Sequence, residues 1–189
     1  MAAYHTAAVP TLAIGHTLAG LAENDHAHDT LRAYIDPKIQ RTYAKRLASA
    51  KQQSATARAF SQKLEVKFGT LVPQMQAAGV TILAGSDSGP FNSFTYPGAS
   101  LHDELRLLVQ AGLTPAQALR AATLNGATFM GVDARSGSIA EGKDADLVLL
   151  TANPLTDITN TRKIAAVVSR GKLYTQADLG RMLAAIKNK

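Results

Sequence analysis

The spacing of apolar residues changes along the chain, from a helical period in most of the first 131 residues to a strand-like pattern after residue 136. Residues 80–84 form a short apolar run rich in β-branched residues, which is typical of a buried strand. A second short run at residues 7–12 predicts another strand. Apolar residues three or four positions apart predict four helices. These series are Ile39, Tyr43, Leu47 and Ala50; Phe60, Leu64, Phe68, Leu71 and Met75; Leu101, Leu105, Leu108 and Val109; and Leu179, Met182, Leu183 and Ile186.

Capping residues predict where several helices begin. Asp36-Pro37 reads as an N-cap followed by a first helical residue, and Thr114-Pro115 opens another helix in the same way. Ser100 with Asp103, and Thr175 with Asp178, have the spacing of capping boxes. Pro73 should kink or restart the helix that contains it. Residues 15–35 are predicted to form a long loop or a short helix, and residues 125–130 a short helix closed by glycine.

The pattern becomes β-like from Ser136 onwards. Ile139 and residues 145–150 are strand-like, and residues 165–169 and 172–174 flank Arg170-Gly171, which predicts a hairpin. The chain therefore divides into residues 1–131, residues 132–174 and a final helix in residues 175–189.

The stretch after the 80–84 strand carries the chemistry. Gly85-Ser86-Asp87-Ser88-Gly89 delivers a carboxylate to the end of a buried strand, the edge where α/β enzymes hold their sites. Taken alone, the same residues are equally compatible with Asp87 merely capping a turn or a helix.

Motifs further along resemble a known family. These are residues 100–115, beginning Ser-Leu-His-Asp-Glu-Leu, residues 118–125, residues 137–150, containing Gly-Lys-Asp-Ala-Asp-Leu-Val, and Asn153-Pro154-Leu155. Over residues 79–174 their order and spacing resemble the C-terminal portion of metal-dependent amidohydrolases, in the imidazolonepropionase-like and Xaa-Pro-dipeptidase-like branch. The resemblance implies an α/β fold: the last two strand–helix units of a (β/α)8 TIM-type barrel, plus part of a small β-sandwich. A whole barrel needs about 250 residues, so 189 would be a fragment.

The resemblance also implies a site. Asp87 would be the aspartate after the eighth strand, a metal ligand and proton carrier, with Ser86 and Ser88 orienting its carboxylate. The implied reaction is hydrolysis of a carbon–nitrogen bond, in an amide, a cyclic amide or a dipeptide, by hydroxide on a divalent metal, most often zinc. The family's other ligands, a His-x-His, a bridging lysine or glutamate and two later histidines, do not match positions here. We therefore expect this chain alone to bind no metal tightly and to be inactive.

Three aromatic residues and three histidines are further candidates for the site. The loop residues Phe91, Phe94 and Tyr96 either form a wall of the substrate pocket or fold into their own loop. His26-Ala27-His28 follows polar residues instead of a strand, so we interpret it as a solvent-exposed coincidence. His102 is explained by helix capping and packing.

Composition narrows the functional classes. The chain is 46% hydrophobic and 18% charged, as in folded soluble proteins, and has no cysteine to form disulfides or thiolate metal sites. No apolar run reaches the length of a membrane span and no signal peptide is recognisable, so we expect a cytoplasmic protein that does not bind membranes.

The net charge of +6 is concentrated in residues 37–68, which hold eight Lys or Arg residues and one acid. Lys38, Arg41 and Lys45 fall opposite the apolar positions of their helix, and no aromatic residues are interleaved with them as nucleic-acid stacking requires. A solvated outer face without nucleic-acid binding is expected.

The sequence thus supports an amidohydrolase acting on a small-molecule amide, completed by a missing N-terminal portion or a second copy. The alternative is a non-catalytic, truncated relative that acts as an oligomer or binding partner.

Overall fold

The computed structural model describes residues 6–24, 26–89 and 94–187. Within them the elements follow the order predicted from the sequence. They are β1 (Ala7–Ala8), α1 (Leu12–Ala19), α2 (Pro37–Lys51), α3 (Ala55–Ala77), β2 (Thr81–Ile82), α4 (Ala99–Gln110), α5 (Pro115–Ala122), α6 (Leu124–Phe129), β3 (Leu147–Leu150), β4 (Ile164–Ser169), β5 (Lys172–Thr175) and α7 (Gln176–Ile186), with 3₁₀ turns at Thr30–Tyr34 and Ile158–Arg162.

Strands β1 and β2 pair in parallel, joined by the crossover of α1 to α3. Ala7 faces Thr81 and Ala8 faces Ile82. The Leu83 N–H donates to the Ala8 carbonyl oxygen at 2.9 Å, which extends the pairing by one bond. Regular pairing is thus shorter than the predicted 80–84 strand. Burial is also one-sided, since Ile82 is buried and Thr81 is exposed, so one face of β2 is covered and the other is open.

The predicted helices form, with two differences at their ends. Asp36 caps α2 by accepting the Lys38 N–H at 2.6 Å, as its sequence predicts. Pro73 neither stops nor restarts α3, which runs through it as one helix from Ala55 to Ala77. Ser100 is not the cap of α4. That helix begins at Ala99 after Gly98, and the buried Ser100 hydroxyl accepts the Tyr96 N–H at 2.7 Å instead.

Two clusters of buried residues hold these elements together. The larger surrounds β2 and is built from Leu12, Val72, Ile82, Leu105, Leu108, Leu113, Ala118, Ala121 and Ile158, among others. The smaller joins the α1–α2 connection to the loop after β2 and consists of Leu21, Tyr43, Ala50, Phe94 and Tyr96. The apolar series of α3 is only partly used: Val72 and Met75 pack inward, whereas Phe60 and Phe68 are exposed.

The β-rich part is a three-stranded antiparallel sheet in the order β3-β4-β5. The predicted hairpin is confirmed, with Ser169 facing Lys172 across the turn. Arg170 and Gly171 both have positive φ, as a tight hairpin turn requires. Ile139 lies outside any strand and is 88% exposed, so its assignment to a strand is wrong. Helix α7 starts with the predicted Thr175–Asp178 capping box and packs on β4 and β5.

The described helices include none that is long and apolar enough to cross a bilayer.

Candidate active site

The carboxyl ends of β1 and β2 lie side by side because the strands are parallel and in register. The Ala84 N–H donates to the Ala121 carbonyl oxygen at 3.0 Å, and the Asn125 side-chain amide donates to the Ile82 carbonyl oxygen at 2.9 Å. Helices α5 and α6 therefore hold β2 from its outer side. The segment 85–89 starts from this fixed edge.

Asp87 stands five residues beyond the last paired residue of β2. Its side chain is exposed, and its backbone is left-handed, with φ of 50°. Aspartate tolerates this conformation better than most residues, because its short polar side chain can bond locally. Glycine is the residue that usually adopts a left-handed backbone, so the sequence would place this conformation at Gly85 or Gly89 instead of at Asp87. The structure thus presents the Asp87 carboxylate beyond the end of β2, in an irregular segment with a left-handed backbone at Asp87.

Ser86 and Ser88 flank Asp87, and their hydroxyl oxygens are 2.8 Å apart. Both residues are half-buried. This hydrogen bond links the residues on either side of Asp87 and fixes the two serine side chains relative to each other. The orientation of the Asp87 carboxylate by these serines stays a prediction.

The aromatic residues after β2 are largely internal. Phe94 and Tyr96 are each 6% exposed and belong to the smaller core cluster. The Phe94 ring centroid lies 4.9 Å from that of Tyr43, and the Tyr96 hydroxyl donates to Asp29 Oδ2 at 2.5 Å. This geometry favours the alternative in which the loop folds over its own aromatics. Phe91 lies outside the described residues, and substrate contact by any of the three stays a prediction.

His26 is not the exposed residue that the sequence suggested. Its side chain is 14% exposed, its ring stacks on Phe94 with centroids 3.9 Å apart, and its Nδ1 lies 3.7 Å from Asp29 Oδ2. His28 is exposed as expected. The prediction that His26 is exposed was wrong because its stacking partner, Phe94, is distant in sequence, and no local pattern indicates such a contact.

Asp29 is the centre of this rim cluster, which we define as His26, Asp29, Phe94 and Tyr96. Its second oxygen, Oδ1, accepts the Leu31 N–H at 3.1 Å and caps the 3₁₀ turn. Burial and the hydrogen bond to Asp29 raise the pKa of Tyr96 far above its ordinary value. Tyr96 is therefore a permanent donor, and the cluster ties the α1–α2 connection to the loop after β2. No sequence motif identified Asp29.

Glu104 on α4 is a second residue that sequence reasoning missed. It is fully buried, and its Oε2 accepts the Ala13 N–H at 2.7 Å across 91 residues of sequence. A glutamate in an amphipathic helix is ordinarily read as solvent-facing, and only the tertiary contact reveals this role.

A metal fits this arrangement incompletely. No three His, Cys, Asp or Glu side chains are grouped to hold a metal ion in the ranges 6–24, 26–89 and 94–187. A catalytic zinc takes about three protein ligands. Asp87 could supply one, so the described residues do not make a metal centre by themselves.

Comparison with known proteins assigns the family. Residues 13–174 match the amidohydrolase family, and the chain belongs to it. This confirms the resemblance seen in the motifs between residues 79 and 174.

Individual relatives agree. The chain is 36% identical over 108 residues to an ochratoxinase from Aspergillus niger, which covers 54% of this chain and 21% of that protein. It is 34% identical over 128 residues to an imidazolonepropionase from Rubrobacter xylanophilus, covering 64% and 30%. This chain thus spans about a fifth to a third of the length of these relatives.

The fold matches solved structures as well. A Xaa-Pro dipeptidase with methionine bound in its active site superposes with a TM-score of 0.62 over 88% of this chain and 34% of the other, at 22% identity. At this identity the likeness shows the fold alone. The chain is accordingly a mixed α/β protein of the TIM-barrel type, as the sequence predicted.

Proposed function

We propose that this chain is the C-terminal part of a metal-dependent amidohydrolase, whose complete form hydrolyses a carbon–nitrogen bond of an amide, a cyclic amide or a dipeptide. One observation carries the proposal: Asp87 stands exposed at the carboxyl edge of the parallel β1–β2 pair. That edge is where barrel enzymes place their reacting groups. The match of residues 13–174 to the family supports it.

In the proposed reaction Asp87 carries a proton. Its carboxylate takes a proton from the attacking water as the water oxygen bonds to the carbonyl carbon. It then returns the proton to the nitrogen as the carbon–nitrogen bond breaks, so that the amine leaves neutral. Because it is exposed, the same carboxylate can accept the proton from water and return it to the leaving nitrogen. The names of the ochratoxinase and imidazolonepropionase relatives support a hydrolase that acts on such bonds.

The proposal also places limits on the isolated chain. Asp87 is a single ligand, and the described residues add no cluster to it. We therefore propose that residues 1–189 alone bind divalent metal, zinc included, only weakly and do not hydrolyse amides. The remaining ligands would come from an N-terminal portion or from a second copy of the chain.

A non-catalytic role is the second candidate, and exposed apolar surface favours it. Phe60, Val66 and Phe68 on α3 are 66%, 64% and 52% exposed, and Val148 and Leu149 on β3 are 56% and 60% exposed. Between α1, α2 and α3 lies an open groove of about 440 Å³. Apolar surface of this kind marks a region that another chain or segment covers.

The deciding experiment is an assay of the purified chain with zinc against N-acyl amino acids and Xaa-Pro dipeptides. Asp87→Asn is the matched control, because asparagine also tolerates a left-handed backbone but carries no charge. We expect no turnover from wild type or control. Metal-dependent turnover that Asp87→Asn removes would contradict the inactivity of the isolated chain and would mean that the site is complete.

The second arm tests the family function. The coding sequence upstream of Met1 is examined for an in-frame His-x-His, and the segment it encodes is supplied in trans. Activity that appears only in the mixture, and is lost with Asp87→Asn, supports the proposed hydrolase. A mixture that forms a stable complex yet stays inactive on all substrates supports the non-catalytic alternative.

A further inference from the structure

Glu104 is the most deeply buried acidic side chain among the described residues, with 0% exposure. Its Oε2 accepts the Ala13 N–H at 2.7 Å, whereas its Oε1 has no hydrogen-bond partner. The backbone at Thr11 and Leu12 also stabilises the ionised form, while burial, the larger effect, raises the pKa of the carboxyl. Burying a carboxylate costs free energy unless hydrogen bonds compensate for the lost hydration.

The hydrogen bonds to Glu104 cap the start of α1, which the residues next to it in sequence do not do. The first N–H groups of a helix have no partner within the helix and are usually satisfied by the N-cap side chain. Thr11, the N-cap of α1, is left-handed, with φ of 49°, and its side chain makes no capping bond. Glu104 supplies the cap from another helix.

The capped start of α1 is linked to the candidate active site by two short chain segments and the contact between them. Thr11 is two residues from Val9, which directly follows β1. Val9 Cγ1 lies 2.7 Å from the position that a Cβ on Gly85 would take, so the two strand ends are in close contact. Gly85 is in turn two residues before Asp87. Displacing the start of α1 would therefore displace Val9, against which the segment that leads to Asp87 packs.

We propose that Glu104 is a positioning residue for the Asp87 site, holding the end of β1 and the start of α1 against the end of β2. The inference rests on the proposed function in regarding Asp87 as the reacting group. Glu104 touches no substrate in this scheme. It acts through the backbone of residues 11–13. A side chain as long as glutamate is needed to reach this backbone from α4.

The test is hydrogen–deuterium exchange of the chain, read by mass spectrometry in peptides covering residues 9–14 and 83–89. In Glu104→Leu the side chain keeps its bulk but loses both oxygens. Losing a buried bond to a charged group costs about 1.5–3 kcal/mol, so exchange at residues 11–13 should rise about 10- to 100-fold, with a smaller rise at 83–89. Glu104→Gln keeps an acceptor oxygen and should stay within about threefold of wild type.

Glu104→Asp is the second variant, and it replaces Glu104→Leu in the test if that protein does not fold. Aspartate keeps the charge but is one methylene too short to reach Ala13 N, so it should exchange quickly at residues 11–13. Residues 164–175 of the β4–β5 hairpin provide the internal reference and should not change in any variant.

Two outcomes would overturn the proposal. One is exchange at residues 9–14 that Glu104→Leu and Glu104→Asp leave at the wild-type rate, since the hydrogen bond to Glu104 would then not hold this segment. The same conclusion follows if Glu104→Gln raises exchange as much as Glu104→Leu does, because glutamine keeps both the side-chain volume and an acceptor oxygen. The other is a rise confined to 9–14 with none at 83–89, which would make Glu104 a local cap without influence on Asp87. Neither reading needs substrate or metal, so failure of amide hydrolysis in the assay above leaves this test intact.

Discussion

Val9 and Gly85 meet where the two parallel strands end, and a Cβ placed on Gly85 would lie 2.7 Å from Val9 Cγ1. Non-bonded carbon atoms do not approach each other so closely. The absence of a side chain at Gly85 is therefore what lets β1 and the Asp87 segment lie side by side. Glycine is needed here for this close approach and not for its backbone conformation, because the φ of Gly85 is not in the left-handed region.

Replacing Gly85 with alanine should therefore destabilise the chain. The added methyl group forces Val9 or the strand ends apart, and such overpacking costs about 1–3 kcal/mol. The measurement is the free energy of unfolding from urea denaturation. Gly89→Ala is the matched control, since a Cβ there meets nothing within 4 Å, and it should change stability by less than about 0.5 kcal/mol. Equal effects of the two substitutions would refute the close contact.

Removing the Tyr96 hydroxyl should loosen the rim cluster. Tyr96→Phe keeps the buried ring but deletes the 2.5 Å hydrogen bond to Asp29. A hydrogen bond to a charged group is worth about 1.5–3 kcal/mol, so unfolding free energy should fall by that order. Tyr34→Phe is the control, because the Tyr34 hydroxyl has no hydrogen-bond partner in the part of the chain that the structure describes. If both variants are equally stable, the Asp29 contact contributes nothing.

His102 should make stability depend on pH in the mildly acidic range. Its Nδ1 lies 2.9 Å from Thr161 Oγ1, which itself donates to the Ile158 carbonyl oxygen, so His102 Nδ1–H is the donor of this bond. Burial and the Arg162 guanidinium lower its pKa below the ordinary 6.5, although Asp103 opposes them. The unfolded chain thus takes up the proton first, and stability present above about pH 6.5 falls as the pH drops towards the folded pKa.

The check for His102 is urea unfolding at a series of pH values from 5 to 8. His102→Gln can keep a donor to Thr161 and cannot titrate, so its stability should lose the His102 share of the pH dependence. His28→Gln is a matched control on an exposed histidine and should follow wild type. A His102→Gln profile that parallels wild type would show that other groups control the acid sensitivity.

The basic segment should bind polyanions weakly and without sequence preference. Lys38, Arg41 and Lys45 are exposed on α2, while Tyr43 is buried on its opposite face, as the sequence predicted. Such a face binds through counterion release alone and loses affinity steeply with salt. Titration of two unrelated DNA duplexes at moderate salt tests this. A large difference in affinity between the duplexes would contradict it and support specific nucleic-acid recognition.

The sequence by itself determined the order of the helices and strands, because helical spacing and capping residues act within a few positions of each other. Asp36 and Thr114 cap as their neighbours dictate, and the Arg170-Gly171 turn fixes the hairpin register. The Asp87 motif was also visible, since a carboxylate directly after an apolar run is a local pattern.

The tertiary structure decided what depends on contacts between distant residues. Three such contacts join residues that lie 67 to 91 positions apart. They are the stack of His26 on Phe94, the hydrogen bond from Tyr96 to Asp29 and the cap that Glu104 provides to α1. Burial was likewise a tertiary outcome: Phe60 and Phe68 have the spacing of a core face yet remain exposed. An apolar period shows which residues share a face of a helix, but only the packing of other segments determines whether that face is covered.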